Sequence, residues 1–388
     1  MNQNPICIVC GGRELSEVVR IEGVPVLCNQ LLCTRGAALA VPTATVALWF
    51  CHACGHMFNP DFNPQLVPYG PVYENSLNCS GRFREYDDAL IDALIERYQL
   101  RNRKVVEIGC GRGDFLKALC RRGGNHGVGF DPSCPDGEEP GDRGCDVVIR
   151  REHWENCHSS VDADFICSRH TLEHVGKPRA FLAGIRSAAR KSGVPVFLEV
   201  PNSLYTLRDE GIWDIIYEHC SYFCASSLDR ALAESGYLTF DVDETFGGQF
   251  LTIHAETNGR SAQSALAPRP EVARLVTAFA EKYRTKVDAW ARRLDAFAHK
   301  GRKVIVWGAG AKGTMFLNTL RRGNVEYVVD VNPRKQGKYV VGSGQRIVAP
   351  EFLKEYGPSV IICMNPNYRE EIERRSRELG LEPACLVA

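Results

Sequence analysis

Glu218 and His219 stand side by side in IWDIIYEHCSYF, the stretch from Ile212 to Phe223. An imidazole titrates near neutral pH and can take a proton from a substrate. A carboxylate beside it can hold a loop or a hydroxyl group. Trp213, Tyr217, Tyr222 and Phe223 surround the pair with rings. Tyrosine hydroxyls can donate to an oxygen on which negative charge develops. The stretch shows neither the period of a surface helix nor the alternation of a strand. It reads either as a buried loop that satisfies its own polar groups or as a pocket wall carrying a proton-transfer pair.

The elements around it narrow that choice. Cys7-Ile-Val-Cys10 and Cys51-His-Ala-Cys54 are two CxxC pairs, each followed by glycine. Two thiolates at this spacing can bind one Zn²⁺ from a tight turn, and four close a tetrahedron. Cys7, Cys10, Cys51 and Cys54 are therefore expected to hold a structural zinc ion, with redox thiols or chance spacing as the alternatives.

Lys104-Val-Val-Glu-Ile reads as a strand that turns through Gly109, Gly111 and Gly113 into the helical FLKALCRR. Strand, glycine turn and helix form a Rossmann-type nucleotide site. Glu107 stands before the glycines, where dinucleotide sites carry an apolar residue. A second strand ends at Asp131-Pro132, an acid about 20 residues after the turn, suited to a ribose diol. This pattern looks like a class I S-adenosylmethionine (SAM) methyltransferase. Asp164 to Val175 and Val194 to Asn202 resemble its fourth and fifth strands. His170 and His174 follow the fourth strand, where open α/β sheets bind ligands. His170 reads equally as a satisfied turn histidine.

A polar linker spans 258–270, and a helix with apolar residues at three- and four-residue steps from Val272 to Phe297 follows it. Then Lys303-Val-Ile-Val-Trp-Gly-Ala-Gly-Ala-Lys-Gly313 repeats the strand-turn-helix pattern, with Gly310, Lys312 and Gly313 in the turn. Further strands end at Asp330 and Asn365. The amides of such a turn hold any diphosphate. Lys312 and Lys335 add positive charge, which favours a nucleotide-diphosphate substrate over a nicotinamide cofactor. A Rossmann unit kept only for packing is the remaining reading.

The expected fold is thus α/β: a class I methyltransferase domain over 69–257, a linker helix with a second Rossmann-like domain over 258–388, and a zinc-binding module over 1–68. A chain of 388 residues accommodates these parts. Lys plus Arg and Asp plus Glu number 47 each, so no net field points to nucleic acid or to a membrane. The sequence shows no long apolar run and no export signal, and its 17 cysteines are expected as mostly reduced thiols in the cytoplasm. Oligomeric state is left open, with a monomer favoured.

The order of parts, with WGAGAKG, DVNPRKQG and the acid-His pair followed by aromatics, resembles the sugar C-methyltransferases of deoxysugar biosynthesis over nearly the whole chain. That resemblance implies a nucleotide-linked 4-keto sugar methylated beside its ketone after a base removes the α proton. It implies roles for Glu218, His219, His174, Tyr73 (or Tyr69) and a turn at Gly247-Gly248-Gln249. This chain departs from the family in two respects: the entry segment reads Tyr73-Glu-Asn-Ser-Leu-Asn-Cys-Ser80 rather than a plain serine pair, and the tyrosine before the glutamate is displaced. The tyrosine two residues before the glutamate is Ile216 here, and a tyrosine stands at 217. His219 is the natural base. Tyr73, Tyr217 and His174 are the expected donors to the enolate oxygen. Trp213, Tyr222 and Phe223 are expected to exclude water. The alternative is transfer to oxygen or nitrogen of a sugar or another small polar metabolite.

Overall fold

Apolar residues recur through LSEVVRIEGVP and TATVALWFC, and these segments form an antiparallel pair, Leu15–Pro25 with Thr43–Cys51. A turn at Gly55, with φ of 80°, returns the chain to a third short strand, Met57–Phe58. The fourth strand of this sheet comes from far along the sequence: Ser221–Tyr222 pairs antiparallel with Met57–Phe58. The N-terminal sheet is therefore completed by the stretch that carries His219. The computed structural model describes residues 5–134, 146–154, 162–258, 266–267, 270–321 and 324–388.

A seven-stranded sheet forms the middle of the molecule. Its order is Leu238–Thr245, Phe250–Glu256, Pro195–Pro201, Phe165–Arg169, Lys104–Ile108, His126–Phe130 and Asp146–Arg150. The five strands from Pro195–Pro201 onward pair in parallel, while Phe250–Glu256 runs antiparallel to both of its neighbours. The order reverses between Lys104–Ile108 and Phe165–Arg169. A cleft opens there at the C-terminal strand ends.

A five-stranded parallel sheet forms the C-terminal lobe: Arg346–Val348, Val325–Val329, Val304–Trp307, Val360–Cys363 and Ala384–Val387. Its glycine turn is closely packed. A Cβ at Gly313 would stand 1.9 Å from the carbonyl oxygen of Gly308, so only glycine lets this helix approach its strand. The amphipathic helix spans Pro270–His299 and buries Val272, Val276, Phe279, Tyr283, Trp290 and Leu294. Most of the linker read at 258–270 lies outside the described residues.

The lobes share one apolar core. Val24 and Val26 of the N-terminal sheet, Trp213, Phe279 and Trp290, and Val306 and Phe316 of the C-terminal lobe belong to the same buried cluster. Phe316 meets the rings of Trp213 and Trp290 edge-on at 5.1 and 5.4 Å. Polar stitches supplement it. Glu371 of the C-terminal lobe caps the helix Gly81–Tyr98, accepting from Ser80 Oγ at 2.6 Å, Gly81 N at 3.2 Å and Arg82 N at 3.3 Å. Lys312 Nζ reaches Asp214 Oδ1 at 3.0 Å, and Asn365 Nδ2 donates to Gln249 Oε1 at 2.9 Å. Among the described residues, no helix is long and apolar enough to cross a membrane.

Gly313→Ala is expected to destabilise the protein by about 1–3 kcal/mol through overpacking. Urea denaturation measures it, and an unchanged midpoint would show that the turn has room to spare.

Candidate active site

A cavity of 880 Å³ lies between the seven-stranded sheet and the C-terminal lobe. Glycine turns of both lobes line it, as do His170, His174 and His219. The site is built where the parallel strands end and the helices begin, so backbone N–H groups face the ligand.

One end has the character of a cofactor pocket. Glu107, Gly109, Gly111, Asp131, Pro132 and His170 all line the cavity. Gly113 starts the following helix with φ of 75° and packs against Ile149, so it supports the turn from behind. Asp131 fixes the turn: its Oδ2 accepts Gly111 N at 2.8 Å, and its Oδ1 accepts Ser133 N at 2.7 Å. Burial pushes the Glu107 carboxyl up to about 8, and its Oε2 has no hydrogen-bond partner. A buried, unpartnered carboxyl oxygen on a cavity wall fits a cationic ligand, and SAM carries ammonium and sulfonium charges. Below this end, Arg169 bonds Glu199 at 2.9 Å and Asp87 at 2.7 Å, and its guanidinium lies 4.1 Å from the Phe115 ring centre. His170 adopts a left-handed backbone, φ 50°, which brings its Nε2 to 2.9 Å from Glu199 Oε1. Burial opposes ionisation of Glu199, but the Arg169 guanidinium beside it holds it at about 2.

The other end carries the histidine and tyrosine groups. His174 Nδ1 stands 3.1 Å from the Glu218 carbonyl and 2.7 Å from Tyr69 Oη. A carbonyl only accepts, which assigns the proton to His174 Nδ1. The Tyr69 oxygen then accepts from the same N–H, and its own proton is free for the cavity. Tyr73 meets the Tyr69 ring edge-on at 5.0 Å. His219 packs edge-on against His174 at 4.8 Å and against Tyr222 at 6.0 Å. Burial lowers His174 to about 4; burial, with His174 and His170 nearby, holds His219 well below its ordinary range. Both imidazoles are therefore neutral at pH 7 and able to accept a proton.

Several expected residues stand elsewhere. Tyr217 does not line the cavity; its hydroxyl accepts Asn63 N at 2.9 Å, because the loop turns residue 217 towards the N-terminal module. Ile216 lines the cavity instead, so the position that carries the family's tyrosine presents an alkyl group here. Glu218 is completely buried behind the wall, where its Oε2 accepts Cys28 N at 2.8 Å. Burial raises it to about 7. It holds the loop from behind and interacts with the Tyr73 hydroxyl, which lowers it against the effect of burial. Trp213 packs on Phe316, and Phe223 stands 4.8 Å from the His56 ring, so of the three expected water-excluding rings Tyr222 alone lines the cavity. Gly248 is also outside the lining; its carbonyl accepts Asn202 Nδ2 at 2.9 Å, while the adjacent Gln249 faces inward.

On the C-terminal side, Gly310, Lys312, Gly313, Asp330, Lys335 and Asn365 line the same cavity. Asp330 is occupied by its own turn, accepting Ala309 N and Asn332 N at 2.8 Å each. Lys335 Nζ reaches two neutral acceptors, Asn29 Oδ1 at 3.1 Å and the Ala309 carbonyl at 3.2 Å. Glu173 and Glu74 were not singled out from the sequence. Glu74 joins the lobes, with Arg112 at 3.3 Å and Asn332 at 3.1 Å.

At the far side of the N-terminal sheet, Cys7 and Cys54 Sγ lie 3.7 Å apart and Cys10 and Cys51 Sγ 3.6 Å apart. Sulfurs at ~2.3 Å from a tetrahedral ion sit ~3.8 Å from one another. All four sulfurs lie within 4.8 Å of one another, a cluster that could hold a zinc ion.

The strand order, the glycine turn and the acid at its base define a class I SAM-dependent methyltransferase. Residues 80–239 match the methyltransferase domain family, and residues 269–385 match the C-methyltransferase C-terminal domain family. C-methyltransferase NovU from Streptomyces niveus is 26% identical, over 96% of this chain and 92% of its own. These matches and this relative support a SAM-dependent methyltransferase whose C-terminal part is similar to that of C-methyltransferases. Among solved structures, magnesium protoporphyrin IX methyltransferase from Synechocystis PCC 6803 with bound SAM is 14% identical, covering 45% of this chain and 79% of its own, with a TM-score of 0.34. A SAM-dependent methyltransferase from Aquifex aeolicus is 14% identical, covering 47% and 100%, with a TM-score of 0.33.

Glu107 has a pH consequence. Its folded pKa is raised above the unfolded value, so the folded state keeps a proton that the unfolded state releases. Its contribution to stability is complete below the unfolded carboxyl range and is lost as pH rises towards 8. Glu107→Gln is therefore expected to flatten the fall in ligand-free melting temperature between pH 5 and 8. Parallel thermal scans check it, and identical slopes would contradict it.

Proposed function

We propose that this methyltransferase transfers the methyl group to the carbon beside the ketone of a nucleotide-diphosphate-linked keto sugar, through an enolate raised by His219. One observation carries the reading. Neutral His219, Tyr69 and Tyr73, the Glu107 pocket and the Lys312 and Lys335 side of the C-terminal lobe line one cavity. SAM, when bound, supplies an electrophilic methyl group on a sulfonium centre. His219 takes the α proton. Tyr69, with its proton freed by the His174 N–H, and Tyr73 donate to the enolate oxygen. Lys312, Lys335 and the amides after Gly310 hold the diphosphate and fix the reacting carbon against the methyl. Ile216 and Tyr222 keep water from the enolate.

In this reading 1–68 is a structural zinc module held by Cys7, Cys10, Cys51 and Cys54, 69–257 is the catalytic domain, and 258–388 holds the substrate. The module's role is positional, since the strand Met57–Phe58 carries the Ser221–Tyr222 end of the His219 loop.

With S-adenosylhomocysteine (SAH) in place of SAM, the protein in deuterated water is expected to exchange the α hydrogen of a competent keto sugar. His219→Ala should reduce that exchange by about 10²-fold or more, with SAH affinity kept. Methyl transfer without any exchange would exclude the enolate and favour oxygen or nitrogen as acceptor. Tight binding of NADH but not SAH would overturn the reading altogether.

Cys51→Ser is expected to lose zinc and stability together, because the metal's binding energy is folding energy in such a site. Metal analysis and a melting curve test this, and full zinc content in that variant would remove Cys51 from the ligand set.

A further inference from the structure

Glu173 is a buried carboxyl that stands close to all three cavity histidines. It lines the cavity yet is only 2% exposed, and its Oε2 has no hydrogen-bond partner. Its Oε1 stands 3.9 Å from His170 Nδ1 and 4.0 Å from His174 Nε2. Ligand-capable atoms of Glu173, His174 and His219 all lie within 4.8 Å of one another. The residue sits in a short helical turn, Leu172–His174, just after the strand Phe165–Arg169. That turn is pinned to the His219 loop, since Cys220 Sγ donates to the Glu173 carbonyl at 3.4 Å. Leaving a buried carboxyl unpartnered among histidines costs stability, so the fold retains it against its own interest.

We propose that Glu173 receives the proton that His219 withdraws from the substrate and passes it to cavity water. This rests on the reading of His219 as the base. The C–H bond breaks, its electron pair becomes the enolate, and the proton goes to the imidazole. The imidazolium so formed lies beside two other histidines in a dry wall and needs a negative partner. Glu173 is the carboxylate at hand, because Glu218 is turned behind the wall towards Cys28. Proton transfer from the imidazolium to Glu173 restores neutral His219 and gives a neutral carboxylic acid. A gap of up to 4.8 Å is spanned by one bridging water or a small side-chain rotation.

Proton affinities agree with this direction. Burial raises Glu173 to about 7, against the opposing effect of His170, while His219 is held well below its usual range. The titratable groups facing Glu173 are His170, His174, His219, Tyr69, Cys220 and, from the neighbouring strand, Glu199. His174, lowered to about 4 by burial, offers it no formal charge at neutral pH. An acidic limb near pH 7 in the kcat/KM profile would belong to a buried carboxyl, Glu173 or Glu218, since His219 stays unprotonated there, and the Glu173 variants separate the two.

Glu173→Gln, which keeps the shape and removes the proton acceptor, tests the idea in the full chain. Expected are unchanged SAH affinity, KM within about twofold and kcat lower by about 10- to 100-fold, with the limb near pH 7 gone. Glu173→Asp, keeping a carboxylate, should retain the limb. Wild-type kcat and an unaltered limb in Glu173→Gln would overturn the proposal. If wild-type protein methylates without exchanging the α hydrogen, the enolate reading itself fails. If exchange and turnover are lost in His219→Ala but untouched in Glu173→Gln, only the role of Glu173 fails. Dialysis against Zn²⁺ adds a last arm. A tightly held metal equivalent beyond the cysteine-bound one, lost in Glu173→Gln, would make the cluster a cation site and overturn the proton route.

Discussion

The bond between the Glu218 carboxylate and the Cys28 backbone N–H, 2.8 Å long and shut off from water, is the constraint on which the site depends. It ties residues far apart in sequence, and neither partner has water to fall back on, so losing it leaves a buried donor and a buried acceptor unpaired at ~1–3 kcal/mol each. Three residues further on, the same loop joins the N-terminal sheet through Ser221–Tyr222. His219 stands between these anchors. Its ring has little freedom except to face His174 and the cavity. The acid-His pair thus divides the labour: the acid faces the scaffold and the histidine faces the cavity.

The cavity itself belongs to no single lobe. Glu74 touches the glycine-turn arginine, Arg112, and the C-terminal Asn332. Lys312 leans on Asp214, which belongs to the His219 stretch, and Gln249 is held by Asn365. These contacts are polar and partly reachable by water, whereas the shared core around Trp213 and Phe316 is dry.

Much of this was legible from short local patterns. The strands at Lys104–Ile108, Phe165–Arg169, Pro195–Pro201, Val304–Trp307 and Val360–Cys363 fall where apolar runs meet glycine or acidic turns. The buried face of Pro270–His299 follows its three-to-four-residue apolar period. Such signals are local and so readable. Orientation within an irregular loop has no period, which is why Tyr217 and Ile216 exchanged their expected faces and Gly248 gave way to Gln249. Pairing between distant segments leaves no local trace either, and the two-residue strand Ser221–Tyr222 has no signature of its own. Glu173 escaped notice because an acid after a helical turn looks like any solvated residue until the wall around it is known. Tyr69 and Tyr73 were both named, but a sequence cannot say which hydroxyl meets His174.

Glu371 supplies the cap of a helix that belongs to another lobe. That helix, Gly81–Tyr98, carries Asp87, the partner of Arg169 beneath the cofactor pocket. Any chimaera that grafts a foreign C-terminal half onto this front half inherits an exposed row of amide hydrogens unless the graft brings its own acid to the same spot. New acceptor specificities along this lineage are therefore easier to reach by revising the cavity lining than by trading whole halves.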